Sequence, residues 1–139
     1  MNRLYTYGYS KGSIDDLIGY AAAGAVIVDV RYRAASRNPV WAKSRLGGAL
    51  TPQYCHLPSL GNVNYRSGGP IVLADADGGL EKLGALLERA PVVILCACSD
   101  VRTCHRLTVA NEAQARWPLL QVTHLKPGER LVEGAPTLF

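Results

Sequence analysis

Two stretches of the chain are almost wholly apolar, broken only by Asp29. VIVDV at 26–30 and VVILC at 92–96 are β-branched and carry no alternation. That pattern predicts strands covered on both faces, as in a parallel sheet. Weaker strand signals occur at RLYTY (3–7), which is rich in β-branched and aromatic residues, and at QYCHL (53–57) and LQVTHL (120–125). Between them the period changes. Leu17, Ile18, Ala21 and Ala22 recur at helical spacing after Ser13, a candidate cap that Asp16 would complete as a capping box. Asp15 falls in the favourable first turn, and Gly24 is the expected stop. Leu80, Leu83, Leu86 and Leu87 predict a helix over 79–89. A last helix over 104–116 ends at Trp117-Pro118. A short helical turn fits 41–46, and Pro58, Gly61, Gly68, Gly69 and Pro70 mark a long loop.

Alternating strands and helices predict a three-layer α/β/α fold with a mostly parallel central sheet of about five strands. The 139 residues read as one domain, with an irregular tail from about 126. Ligands of such sheets sit outside the carboxyl ends of the strands. Attention therefore falls on three loops, after Tyr7, after Val30 and after Cys96.

Composition narrows the classes. No apolar run approaches the roughly 20 residues of a membrane span, and the start lacks a signal-peptide pattern, so a cytoplasmic location is expected. Four cysteines, Cys55, Cys96, Cys98 and Cys104, are then expected as reduced thiols. The net charge is +4, and most of the cations are arginines. Arginine's planar fork suits phosphate and carboxylate.

The densest chemistry lies in LCACSDVRTCHR, residues 95–106. A strand-to-helix turn aims backbone N–H groups at one point, and the helix start adds partial positive charge. Arg102 and Arg106 can add bidentate donors. The same field favours a thiolate on Cys96, Cys98 or Cys104, although buried cysteines are equally ordinary core residues. His105 is either a brace or a general acid or base. His56 and His124, in predicted strands, are read as structural. Cys96, Cys98, Cys104 and His105 form a set of four metal-capable groups. The C-x-C spacing and the adjacent Cys-His pair argue for diverging directions, so no tightly bound zinc, structural disulfide or cofactor is expected.

In order and rough spacing, YTYGYS at 5–10, DVR at 29–31, Ser36-Arg37, Tyr54 with HLPSLGN at 56–62, and CHR at 104–106 preceded by Cys96 make the chain resemble a bacterial family. That family is domain of unknown function 488, and the resemblance spans about residues 4 to 125. It implies a compact α/β fold and a shared site of Tyr7, Ser10, Asp29, Arg31, Arg37, Cys96 and Arg106, without a settled activity. Tyr9 stands where the family more often has histidine, and Cys98 where an acidic residue is common. The strand, cysteine loop and helix are also loosely similar to the rhodanese architecture.

Two functions follow as expectations. One is an enzyme acting on a phosphate-bearing or nucleotide-like substrate. Arg31, Arg37, Arg102, Arg106 and Ser10 would hold the anion. Cys98, Cys104, His105 and Asp29 would carry the chemistry, beside Tyr7 and Cys96. The other is a non-catalytic module binding nucleic acid or a protein, because tyrosines and Trp41 lie among arginines. A third possibility is structural: the arginines are already paired with Asp29, Asp100 and Asp75. A concave pocket containing Arg31, Arg106 and a cysteine would favour the enzyme; an extended basic groove would favour the module.

Overall fold

The computed structural model describes residues 1–131. Among them it has five strands and four α-helices. In chain order these are β1 (Leu4–Gly8), α1 (Ile14–Ala22), β2 (Val26–Asp29), α2 (Lys43–Leu50), β3 (Tyr54–His56), α3 (Ala76–Leu87), β4 (Val92–Cys96), α4 (His105–Arg116) and β5 (Val122–Leu125). The sheet order is β3-β2-β4-β1-β5, and each strand pairing is parallel. The predicted three-layer α/β/α fold is therefore present.

The two continuous apolar runs became the neighbours β2 and β4, at the middle of the sheet. Their residues alternate between two cores. Val28, Val30, Ile94 and Cys96 face Leu80, Leu83, Leu87, Val109 and Ala113 of α3 and α4. Ile27, Val93 and Leu95, with Tyr5 and Tyr7 of β1, face Leu17, Tyr20, Leu46 and Leu50 of α1 and α2. Burying each such side chain contributes roughly 1.5–3 kcal/mol, and both faces need apolar residues. This is why the two runs lack alternation.

Several local expectations shift. Ser13 does cap α1, accepting from the N–H of Asp15 at 3.1 Å. The capping box does not close, because the Asp16 carboxylate accepts instead from the Tyr7 hydroxyl at 2.5 Å and from the N–H of Gly128 at 3.1 Å. Helix α3 starts at Ala76, three residues before the expected position, because Asp75 caps it through the N–H of Gly78. Helix α2 runs on to Leu50, which is buried, rather than ending at Leu46. Residues 126–131 carry no helix or strand; Gly134 and Pro136 of the predicted tail lie outside the described residues.

At their carboxyl ends β1 and β4 touch closely. Gly8 is opposite Cys96 in register. A Cβ on Gly8 would lie 1.7 Å from the carbonyl oxygen of Cys98 and 2.8 Å from an Arg106 nitrogen. Only glycine permits that approach.

Candidate functional site

The carboxyl-end residues singled out in the sequence do gather at one end of the sheet, but the sheet divides them between its two faces.

On the α1/α2 side is a closed node built on Asp29, which is 0 % exposed. One carboxylate oxygen accepts from the backbone N–H of Arg31 at 3.1 Å and from its Nε at 2.9 Å. The other accepts from Arg31 Nη2 at 2.6 Å and from the Tyr54 hydroxyl at 2.5 Å. Arg31 Nη1 donates to the Tyr9 hydroxyl at 3.0 Å and to the Ala35 carbonyl at 3.4 Å. Tyr9 in turn stacks on Trp41, with ring centroids 4.5 Å apart. Burial and the neighbouring Asp29 charge push the Tyr54 phenol well above its ordinary range. Burial works against the Arg31 charge, but the hydrogen bond and charge of Asp29 outweigh it and raise its pKa. The Arg31 fork is thus occupied by protein groups. Tyr7 is likewise consumed within the fold, donating to Asp16 and accepting from the N–H of Ser13 at 3.1 Å.

On the α3/α4 side lies the cysteine loop. Cys104 is the residue before α4 and keeps an extended backbone, with φ −105° and ψ 143°; His105 is the first helical residue. That change of backbone between neighbours turns the two side chains toward a common point, instead of apart as adjacent helical residues would be. The ligand-capable atoms of Cys96, Cys104 and His105 all lie within 4.8 Å of one another, and all three residues are buried. His105 Nε2 is 2.7 Å from the Val30 carbonyl. A carbonyl only accepts, so Nε2 carries the proton. His105 Nδ1 then faces the Cys96 sulfur at 3.5 Å. Cys98 is exposed, and its thiol lies near enough to Cys96 and Cys104 to titrate with them.

These thiols share their protons unequally. Hydrogen bonds from Cys96 and Cys98 hold Cys104 far below the ordinary thiol range, with help from His105 and the N–H of Arg106. The bond to Cys104 pushes Cys96 up to about 12. Cys98 is raised as well, first through its bond to Cys104. Burial opposes charge on His105, but its interaction with Cys104 raises it on balance.

Of the remaining predicted anion donors, Arg102 and Arg106 are occupied. Asp100 accepts from the N–H of Arg102 at 3.0 Å and from its Nε and Nη2 at 3.1 and 3.0 Å. The N–H groups of Thr103 and Cys104 bond to the carbonyls of Asp100 and Val101. Asp100 therefore fills part of the turn where an external anion was expected. Arg106 is only 2 % exposed. It donates to the carbonyls of Cys98 and Ser99 and to the Thr6 hydroxyl, which ties the link to β1. The N–H of Ser10 makes a second tie, to the Ala97 carbonyl at 2.9 Å. Of the expected ion pairs, Asp29–Arg31 and Asp100–Arg102 form; Asp75 is a helix cap instead.

Arg37 is placed differently. With Arg33, Arg66, Ser36, Tyr32 and Tyr65 it lines an open cleft of about 770 Å³. None of these three arginines makes an ion pair among the described residues. Tyr32 and Tyr65 stand 6.2 Å apart between ring centroids, and Arg66 lies 5.5 Å over the Tyr65 ring. A second cleft of about 550 Å³ runs from Ala34–Ser36 to Lys43, Ser44, Gly47 and Tyr54. Arg66 was missed in the sequence, although Tyr65-Arg66 repeats the Tyr32-Arg33 pair.

The molecule is thus a parallel α/β/α protein with a thiol–imidazole cluster on one face and a basic, aromatic cleft reached from the β2 end. No family model matches the chain, and neither a curated protein nor a solved structure matches it. No helix of the described residues is long and apolar enough to cross a membrane.

Proposed function

We propose that the protein binds a phosphate-bearing, nucleotide-like ligand in the cleft of Tyr32, Arg33, Ser36, Arg37, Tyr65 and Arg66. The observation that carries this reading is three arginines without carboxylate partners among the described residues, around one cleft whose walls include two exposed tyrosines. Unpaired guanidinium groups supply charge-assisted donors for phosphate, and a tyrosine face supplies stacking for a base, worth about 1–3 kcal/mol. The cleft wall is anchored from below. Arg31 donates to the Ala35 carbonyl, and the N–H of Lys43 donates to the Ala34 carbonyl. In this reading the Asp29–Arg31 node is scaffold, and Arg33, Arg37 and Arg66 replace Arg31, Arg102 and Arg106 as the anion donors. The resemblance to domain of unknown function 488 remains part of the proposal, and its Ser36-Arg37 mark falls in the cleft.

The alternation of tyrosine and arginine also suits a single-stranded nucleic acid. Titration with adenosine monophosphate, inorganic phosphate and a short oligothymidylate, followed by amide chemical shifts, separates the readings. Shifts at 32–37 and 65–66 with the mononucleotide, weakened in Arg37→Ala and Arg66→Ala, support the small-ligand site. Binding of the oligonucleotide alone moves the assignment to a nucleic-acid module. No shift there at tens of millimolar of any probe would sink both.

A further inference from the structure

We propose that Cys96, Cys104 and His105 bind a zinc-class divalent cation, with the Cys98 thiol closing the fourth position. This inference stands apart from the nucleotide reading, since it concerns none of the residues that line that cleft.

Three observations carry it. The first is convergence. Sequence spacing argued that these side chains diverge, but the extended Cys104 backbone and the helical start at His105 bring them to one point. The second is metric. Tetrahedral zinc, with Zn–S of about 2.3 Å and Zn–N of about 2.0–2.1 Å, needs neighbouring ligand atoms about 3.5–3.8 Å apart. Cys96 Sγ and His105 Nδ1 are 3.5 Å apart, and the three-atom group fits inside 4.8 Å. Small side-chain rotations close the rest.

The third is the orientation of the imidazole. Metal-bound histidines commonly donate their other ring N–H to a carbonyl or carboxylate, which fixes the tautomer and the ring plane. His105 donates Nε2–H to Val30, a residue of the β2 end, and presents the Nδ1 lone pair to the sulfurs. With Nε2 held by Val30, Nδ1 is the ring atom left to meet the sulfurs.

The balance is simple. Each coordinated thiol exchanges its S–H bond for an S–metal bond and releases any proton it carries to solvent. Nothing is oxidised or reduced. Three thiolates and a neutral imidazole leave a dication site with one net negative charge. Arg106, buried and without a carboxylate partner among the described residues, sits on the carbonyls of Cys98 and Ser99 beside it, where that charge is welcome. Set against a purely redox role, the cluster offers a nitrogen ligand that a disulfide does not use.

The test is cobalt substitution of the full chain, purified with a phosphine reductant and freed of metal. Cobalt(II) should bind one equivalent. It should show thiolate-to-metal charge-transfer absorption and the strong red d–d bands of a tetrahedral site, and zinc should displace it. Cys104→Ser and His105→Ala should abolish the tetrahedral bands. Cys98→Ser touches an exposed residue; it should retain cobalt with weaker charge-transfer absorption, because one thiolate is gone. Cys55→Ser, outside the cluster, should leave the spectrum unchanged. Circular dichroism identifies any variant that fails to fold, and Cys98→Ser then decides by itself. Only a weak octahedral spectrum at excess cobalt, an unchanged spectrum in Cys98→Ser, or loss of the bands in Cys55→Ser would overturn the site.

Discussion

Asp29 and Arg31 are two residues apart, yet their side chains fold back on each other through bonds of 2.9 and 2.6 Å, at 0 % and 5 % exposure. Such a pair is costly to bury and more costly to break. Asp29→Ala should leave a buried, uncompensated guanidinium and destabilise the protein by about 3–5 kcal/mol. Arg31→Met should be destabilising too, because Asp29 would retain only Tyr54 and a backbone N–H. The double change Asp29→Leu with Arg31→Met should recover much of the loss. Urea denaturation of the four proteins checks this. A double variant no more stable than Asp29→Ala would show that the node contributes more than its electrostatics.

Gly8 should tolerate no side chain. In Gly8→Ala the new Cβ meets backbone, the Cys98 carbonyl at 1.7 Å, so a rotamer change cannot relieve it. The link must move, and the Arg106 bonds to Cys98 and Ser99 move with it. Overpacking of this kind costs roughly 1–3 kcal/mol. Faster hydrogen exchange at 98–106, together with a lower Tm, is the expected result. Unchanged exchange in that segment would mean that the two strand ends part easily.

The sheet was legible because burial on both faces leaves its mark directly in sequence: VIVDV and VVILC could hardly be read otherwise. The elements that differed did so through partners far along the chain. Asp16 was placed in a capping box by its spacing from Ser13, but Tyr7, nine residues earlier, takes its carboxylate. The site was legible as an address and not as an arrangement. Asp29, Arg31, Cys96 and Arg106 do lie at the strand ends. Sequence does not say which face of the sheet each occupies once the chain leaves the strand, so it merged two groups into one. Local competition was also hidden: Asp100, two residues from Arg102, occupies donors that an outside anion was expected to use. The convergence of Cys104 and His105 depends on a single backbone transition, which spacing alone did not reveal.

Stability should fall on mild acidification through His124. Burial, and then the charge of Arg106, hold its pKa below the ordinary 6.5. Its Nδ1 is 2.7 Å from the Thr6 hydroxyl, which also receives the Arg106 Nε–H. A group with a depressed folded pKa takes up its proton more readily when unfolded. Its contribution is therefore complete above pH 6.5, the unfolded value, and is lost as pH falls through the folded one. His124→Asn keeps an acceptor near the Nδ1 position without a titrating ring. Denaturation midpoints between pH 7.5 and about 5 should then fall less steeply in His124→Asn than in the parent. Equal slopes would place the acid sensitivity elsewhere.

The cleft makes a prediction that separates charge from stacking. Among the described residues Arg33, Arg37 and Arg66 have no carboxylate to release when a phosphate arrives, so each should add to affinity without an internal exchange. They are exposed, and screening limits the worth of each to about 0.2–1 kcal/mol. Each arginine-to-glutamine change should therefore weaken mononucleotide binding by a factor of about 1.5 to 5. The residual affinity should also depend less on salt, because one screened attraction is gone. Tyr65→Leu should behave differently. It removes the ring that stands beside Tyr32 and under Arg66, so affinity should fall while the salt dependence stays as in the parent. Inorganic phosphate supplies the control, since it has no base to stack; its binding should respond to the arginines more than to Tyr65. Salt titrations of the parent, Arg37→Gln, Arg66→Gln and Tyr65→Leu with both ligands give the comparison. If Tyr65→Leu weakened phosphate as much as the nucleotide, the tyrosines would be shaping the cleft, and the ligand would be an anion without a base.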